Sequence, residues 1–493
     1  MPEWLRQRAR ISPERLALVC DSDRWSYREL DDRVSSVASR LAAAGVKRGD
    51  IVALLAANGS GFVQIVHALP RLGATLLPLN VRLNPGELSW QLRDAGAALL
   101  VSDLENAGDL SPALPRLSLA ELTEAGQDGG GRIVAGGDSN FMETVELSAV
   151  HSVIYTSGTS GQPKGAMLTY GNHLWSSINS ALNIGLRSDD RWLACMPLFH
   201  VGGLSILLRS VIYGTAAFVH QSFDAEEVNR AIDEERITIL SAVSTMVRRM
   251  LEARGERPYP NTLRCLLLGG GPAPDALLAE SERRGLPVLQ TYGLTEAASQ
   301  VTTMPPGDSR PGSAGRPLFT TEVRIESADG EAVAAGEPGE IVVRGPTVTP
   351  GYLNNPDATA QALRDGWLHT GDIGHIDTDG YLYVLDRRDD LIISGGENVY
   401  PAEVEEVLRS HAAVEDAAVI GLPDEEWGGR VMAAVVLGED ATADENELTA
   451  FCRTRLAAYK TPREIRFVDE LPRNAAGKLL RRTVRDEWPA DGA

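Results

Sequence analysis

A chain of 493 residues exceeds what one hydrophobic core usually supports, so at least two domains are expected; 43% apolar and 23% charged residues exclude a disordered or fibrous protein. Sixty-eight acidic against 47 basic side chains leave a formal charge of -21, which disfavours nucleic acid and anionic membranes as partners and requires any anionic ligand to find a locally basic site. Cys20, Cys195, Cys265 and Cys452 lie far apart without CxxC spacing and predict buried thiols in a reducing compartment, with neither a disulfide framework nor a zinc site.

The first residues, MPEWLRQRARISPERLALV, are charged and amphipathic, without the apolar stretch of a signal peptide. No membrane-length apolar run follows, so a cytoplasmic protein without membrane insertion is expected. Helical patterns over 27–44 and 225–234 alternate with strand-like runs at 51–55, 98–101, 153–155, 239–241 and 265–268, which predicts parallel sheets covered by helices. From Gly312 onward short β-rich pieces (322–325, 340–343, 381–384) sit between Gly, Pro and Asp turns, as in a small antiparallel barrel or sheet. Beyond Asp389 come a strand at 391–393, a Gly-Gly turn, a helix opening at Pro401, strands at 417–421 and 431–437, and a helix over 445–456. The predicted class is α/β: a large N-terminal domain, 1–388, of two α/β-layered sheets plus a small β-barrel, followed by an α+β domain, 389–493. Its end gathers Lys460, Arg463, Arg466, Arg473, Lys478, Arg481, Arg482 and Arg485, a candidate basic site whose members, taken singly, read equally well as a solvated face.

TSGTSGQPKG, 156–165, follows the apolar run 153–155. Glycines Gly158 and Gly161 let backbone turn tightly around an anion, the hydroxyls of Thr156, Ser157, Thr159 and Ser160 add donors, and Lys164 adds charge, a combination suited to polyphosphate. It is not the Walker pattern, which places Gly-Lys-Ser/Thr at a helix start. Further on stand MPLFH (196–200), GGGPAP (269–274), TYGLTE (291–296), TGD (370–372), DRRDDLIISGGENVYPAEVE (386–405) and PRNAAGK (472–478). In that order these motifs resemble those of the adenylate-forming superfamily of acyl-CoA synthetases, firefly luciferase and peptide-synthetase adenylation domains.

The resemblance implies an ATP-dependent acid-CoA ligase that uses Mg²⁺, makes an acyl-adenylate and passes the acyl group to coenzyme A. It places the loop Thr156 to Lys164 on the phosphates, Gly270, Gly271 and Pro272 beside the adenine with Tyr292, and Thr291, Gly293 and Thr295 along the nucleotide. Glu296 is the implied magnesium ligand, a role its carboxylate oxygens suit. Asp372 and Arg387 are the implied ribose pair, and Lys478 the lysine that a mobile C-terminal domain, hinged at Asp389, delivers to the reacting carboxylate and α-phosphate. Catalytic roles thus fall on Lys478, Thr295 and Glu296, while Gly395 and Gly396 are implied to wall a pantetheine tunnel, where a narrow arm needs close backbone approach.

Within the superfamily, the segments 198–214, 237–247, 264–278 and 312–318 are most similar to the o-succinylbenzoate-CoA ligases of menaquinone biosynthesis. That likeness implies an acyl pocket lined by His200, Gly202, Ile206, Gly269 and Thr291, with His200 lining rather than catalysing, because a carboxylate is already ionised at neutral pH. A keto-diacid needs a partner for the carboxylate that is not activated, and Arg209, Ser241, Ser244, Thr245, Ser299 and Gln300 are the candidates. The competing readings are an aryl or medium-chain acyl-CoA synthetase, an adenylation enzyme loading a separate carrier protein, since the stretch after Lys478 leaves no room for a fused one, and a luciferase-like oxygenase. A homodimer is expected from the prevalence of twofold enzymes.

Overall fold

The computed structural model describes residues 1–104, 110, 113–123, 141–156, 163–271, 273, 275–327, 329–386, 392–438, 441–472, 479 and 481–488. Among these, strands pair into a nine-stranded and a six-stranded sheet, a five-stranded antiparallel sheet, a hairpin and a three-stranded sheet.

Parallel pairing dominates the two large sheets, as expected of apolar runs separated by helices. The larger runs from Arg316–Pro317 through Ser299–Thr303, Val288–Leu294, Cys265–Leu268, Ile239–Ala242, Arg191–Ala194, Ala216–Val219 and Leu16–Cys20 to Asp23–Ser26. Its central strands are buried on both faces, which is why they read as continuous apolar runs without alternation. The six-stranded sheet orders Arg116–Leu117, Leu99–Val101, Ile51–Leu54, Thr75–Pro78, Val150–Thr156 and Lys164–Thr169. The last pair is antiparallel, with Thr156 opposite Lys164, so Lys164 opens a strand rather than a helix.

Local chemistry explains the covering helices. Helix Tyr27–Ala43 opens on a capping box, with Ser26 accepting from the Glu29 amide and Glu29 reaching back to Ser26. It buries Tyr27, Leu30, Val34, Val37, Ala38 and Leu41, one face at helical spacing, each large side chain contributing about 1.5–3 kcal/mol. Helix Ala225–Glu234 is capped by Asp224 and lies over the residues predicted for it.

The β-rich stretch after Gly312 forms the five-stranded sheet Glu322–Glu326, Gly339–Arg344, Trp367–Ile376, Leu363–Arg364 and Leu382–Asp386. Its apolar face packs Ile325, Ile341, Val343, Leu368 and Leu382 against Tyr292, Ala297 and Val301, fastening it to the edge of the large sheet that carries TYGLTE. From Ile392 onward the chain builds cores of its own: the strands Val414–Asp424, Gly428–Leu437 and Glu464–Phe467 pack on the helices Pro401–Arg409, Glu445–Arg453 and Arg481–Asp486. This C-terminal unit touches the six-stranded sheet through Ala457 and Tyr459, which join Leu79, Leu83 and Leu88. Among the described residues no helix is long and apolar enough to cross a membrane.

Candidate active site

A cavity of about 490 Å³ opens where the strand ends of the nine-stranded sheet meet the five-stranded sheet and the C-terminal hairpin. Twelve of the residues singled out by motif line it: Thr156, Lys164, His200, Gly202, Gly269, Gly270, Thr291, Gly293, Thr295, Glu296, Asp372 and Gly396. Four of the six candidate partners for a second carboxylate, Arg209, Ser241, Ser299 and Gln300, share the same wall, whereas Ser244 and Thr245 do not. Ser157, Gly158, Thr159, Ser160, Gly161, Pro272, Arg387, Asp389 and Lys478 lie outside the described residues.

The TYGLTE segment reaches the cavity by a sharp change of backbone. Strand Val288–Leu294 shifts register between Tyr292 and Gly293 and runs into the short 3₁₀ turn Thr295–Ala297. A Cβ on Gly293 would sit 1.7 Å from the Ser299 carbonyl oxygen, so only glycine lets these two stretches approach. Ala298 and Ser299 follow with φ of 51° and 97°, left-handed values costing about 1–3 kcal/mol each in residues that are not glycine. The turn has no side-chain cap, so Thr295 and Glu296 are not consumed by capping. Tyr352 donates its hydroxyl to Glu296 Oε1 at 2.9 Å, Thr156 Oγ1 lies 3.4 Å from the same oxygen, and Lys164 Nζ sits 5.5 Å from the centre of the Tyr352 ring. A carboxylate, two hydroxyls and an ammonium thus converge near the facing ends of strands Val150–Thr156 and Lys164–Thr169. This oxygen donor set suits magnesium, which takes few protein ligands and completes its shell with phosphate and water, Glu296 being the carboxylate that would hold it.

Tyr292 sits elsewhere than beside the cavity. Its ring is buried in the core of the five-stranded sheet, and its hydroxyl donates to Asp372 Oδ2 at 2.7 Å. Asp372, on strand Trp367–Ile376, is thereby turned toward the cavity, and its amide donates to Thr370 Oγ1 at 3.0 Å. Ile206 also falls behind the wall: it is fully buried on helix Val201–Tyr213 among the core side chains. Gly271 faces the C-terminal unit instead, where an added Cβ would meet Ile393 at 2.7 Å.

Across the cavity, Arg209 is the unusual group. It projects from helix Val201–Tyr213, is 2% exposed, and donates from one terminal nitrogen to Ser176 Oγ at 3.0 Å while its guanidinium lies 5.5 Å from the Trp192 ring centre. Its Nε meets no hydrogen-bond partner, and no carboxylate among the described residues pairs with it. Burial accordingly lowers its pKa. The nearby Gln300 is equally buried, donating to Thr303 Oγ1 at 3.0 Å while its Oε1 is left unmatched. Buried polar groups are nearly always paired, so this wall calls for an anionic acceptor at Arg209 and for a hydrogen-bond donor at Gln300 Oε1.

The C-terminal hairpin, strands Ile392–Ser394 and Glu397–Val399, closes another side. Gly395 and Gly396 have φ of 59° and 81°, the pair of positive angles a tight two-residue hairpin requires. A Cβ on Gly395 would strike the Trp427 ring at 2.8 Å. Glu397, given no role by sequence, is 2% exposed and accepts from His200 Nε2 at 3.0 Å, Arg82 Nη1 at 3.0 Å and Asn80 Nδ2 at 3.2 Å. Burial pushes its pKa up, but His200, then Arg82 and Asn80, outweigh that and hold it below the usual carboxylate range. Sequence reading also missed Tyr352, and it placed Lys460 only among the basic residues near the chain's end, each of which read equally well as a solvated charge. The apolar run around Lys460, LAAYKTP, was the available signal that this lysine is no surface charge.

Comparison with known proteins shows the family. The family model for AMP-binding enzymes matches residues 5–353, and that for the AMP-binding enzyme C-terminal domain matches 403–478. A 2-succinylbenzoate–CoA ligase of Geobacillus kaustophilus is 52% identical over 495 aligned residues, 98% of this chain and 97% of its own. The o-succinylbenzoate CoA synthetase of Bacillus subtilis is 43% identical; a double mutant of it bound to a product analogue, OSB-NCoA, superposes with a TM-score of 0.93 over 99% of both chains. The same enzyme in complex with the acyl-adenylate intermediate OSB-AMP superposes at only 0.76, over 100% of this chain and 99% of that one. Since the first model alone spans more than half of the sequence, the chain belongs to the AMP-binding enzyme family.

Proposed function

We propose that this protein joins 2-succinylbenzoate to coenzyme A in menaquinone biosynthesis, as an AMP-forming acid-thiol ligase with ATP and Mg²⁺. The observation that carries the choice of acid is Arg209, a buried guanidinium without a carboxylate partner on the wall of the cavity that also holds Lys164 and Glu296. A monocarboxylic aryl or fatty acid would leave that charge uncompensated, whereas the succinyl carboxylate of a keto-diacid would pair with it while the ring carboxylate faces the nucleotide.

Two displacements make up the reaction. A carboxylate oxygen attacks the α-phosphorus, the bond to the bridging oxygen breaks, and pyrophosphate leaves. The thiol sulfur then attacks the acyl carbon, the carbon–oxygen bond to AMP breaks, and the thiol proton passes to solvent. In the first step Lys164 and the hydroxyl-rich loop grip phosphate, Asp372 takes the ribose hydroxyls with Arg387, and Lys478 meets charge building on phosphorus. Glu296, beside Thr295, would hold magnesium, which would supply positive charge to offset that of the phosphates. In the second step Gly395 and Gly396 leave room for the pantetheine arm as the C-terminal domain, 389–493, turns about Asp389 against domain 1–388. The much closer superposition on the product-analogue complex than on the adenylate complex supports assigning the present arrangement to thioester formation.

The reading extends to a cytoplasmic setting, supported by four buried free cysteines, and to a homodimer, which light scattering tests. Its decisive assay incubates the purified protein with ATP, Mg²⁺, coenzyme A and 2-succinylbenzoate. AMP, pyrophosphate and the acyl thioester are the expected products; good turnover of benzoate or a medium-chain fatty acid with none of the diacid overturns the assignment.

A further inference from the structure

A buried ionic cluster, none of whose members lines the main cavity, joins the C-terminal unit to the rest of the molecule. Lys460, on the 3₁₀ turn Ala458–Lys460, is 3% exposed, and its Nζ lies 2.6 Å from Glu87 Oε1 and 2.7 Å from Glu403 Oε1. Glu403 belongs to helix Pro401–Arg409 of the same C-terminal unit, but Glu87 is in helix Pro85–Asp94 beside the six-stranded sheet. Within this cluster the Lys460–Glu87 pair crosses between the two parts, and at the cavity the contacts of Glu397 with His200, Arg82 and Asn80 do so too. A buried ammonium is tolerated where opposite charge and hydrogen bonds compensate it, so this contact is strongly tied to one relative orientation.

Glu87 is prepared for the contact by its own helix. It is the third residue of a capping box: its Oε2 accepts from the Asn84 amide at 2.9 Å and its amide donates to Asn84 Oδ1 at 3.0 Å, which leaves Oε1 aimed outward at Lys460. Glu403 is less able to neutralise the lysine by itself, because burial raises its pKa against the pull of Lys460 and its Oε2 finds no hydrogen-bond partner.

We infer that Glu87 and Lys460 form a clasp holding the C-terminal unit in the orientation used for thioester formation, and that both are positioning residues for that second step alone. The inference rests on the two-step ligase reading above. When the C-terminal unit turns to the adenylating orientation, Lys460 carries Glu403 along and leaves Glu87 behind. The clasp therefore biases the equilibrium between orientations without touching substrate, and the transfer rate follows the fraction of molecules in the competent one.

The test is Glu87→Gln in the full-length enzyme, which retains an oxygen for the Asn84 amide while removing the charge. ATP–pyrophosphate exchange with 2-succinylbenzoate is expected to stay within about twofold of wild type, while single-turnover transfer from preformed adenylate to coenzyme A slows by at least about tenfold. Glu87→Asp keeps charge and cap but falls a methylene short, and it is expected to slow transfer less; it carries the same test should Glu87→Gln fail to fold. Equal loss of both half-reactions, or unchanged transfer in either folded variant, overturns the clasp alone. A wild-type protein that makes adenylate but no thioester overturns the ligase reading and takes the clasp with it.

Discussion

Arg209 shows how a single side chain sets apart the competing substrates. Replacing it with methionine removes a buried charge that no carboxylate among the described residues balances and keeps most of the apolar stem that packs toward Trp192. Such a charge costs on the order of several kcal/mol against the fold before its ligand arrives, so the melting temperature of Arg209→Met is expected to stay level or rise. Its KM for 2-succinylbenzoate is expected to rise at least about tenfold, the loss of one charge-assisted hydrogen bond or more. A steady-state titration beside a thermal melt checks both; a lower melting temperature with unchanged KM makes Arg209 a structural residue. At this scale the sequence named the chemistry well and the partners poorly. Arg209 stood among six candidates because residue type suggests an anion partner, but only the fold shows that Ser244 and Thr245 face elsewhere. Lys460 read equally well as part of a solvated basic face, since the glutamates that bury it lie 373 and 57 positions away.

At the level of elements, periodic segments were legible and pairings were not. Helices such as Tyr27–Ala43 announce themselves by a cap and an apolar face, both local properties. The hairpin of Val150–Thr156 with Lys164–Thr169 went unforeseen because its second strand, KGAMLT, begins with three residues of little strand preference, Lys164, Gly165 and Ala166, and pairing with Val150–Thr156 is what makes it a strand. Likewise the sharp bend by which TYGLTE reaches the cavity is not legible in its letters, because it rests on the register shift at Gly293 and the uncapped turn behind it. That shift makes a prediction. In Gly293→Ala the new methyl collides with the Ser299 carbonyl, so the backbone must part and carry Thr295 and Glu296 out of place. Pyrophosphate exchange is expected to fall at least about a hundredfold, while circular dichroism keeps the wild-type helix and sheet signal. Full exchange activity in this variant removes the close approach as a requirement for the site.

Across the whole molecule, stability should depend on pH through a buried histidine cluster that is not part of the cavity lining. His67 of helix Ser60–Leu72, His151 of strand Val150–Thr156 and His173 of helix Tyr170–Ile184 are all buried, with the His151 and His173 rings 4.9 Å apart. Burial above all holds each of them neutral: His67 is pushed down to about 3, His151 to about 4 and His173 well below the ordinary value, with mutual repulsion adding to the effect for His67 and His173. Unfolded, the same side chains titrate near 6.5. Below that value the unfolded chain binds protons that the folded chain refuses, so the stability these groups contribute is complete above about pH 6.5 and drains away as pH falls toward about 4. Each contributes a slope of up to about 1.4 kcal/mol per pH unit, and together they join three elements of one core, so the loss should appear as global unfolding rather than local fraying. Urea midpoints measured between pH 7.5 and 5 are expected to fall on acidification, beginning below about pH 6.5. His151→Phe, whose ring has aromatic neighbours in Trp4, Tyr170 and His173 and whose predecessor leaves Nδ1 without a partner, is expected to flatten that fall by about one proton's worth. An identical slope in wild type and variant would mean that carboxylates elsewhere, which titrate lower, govern the acid limb instead.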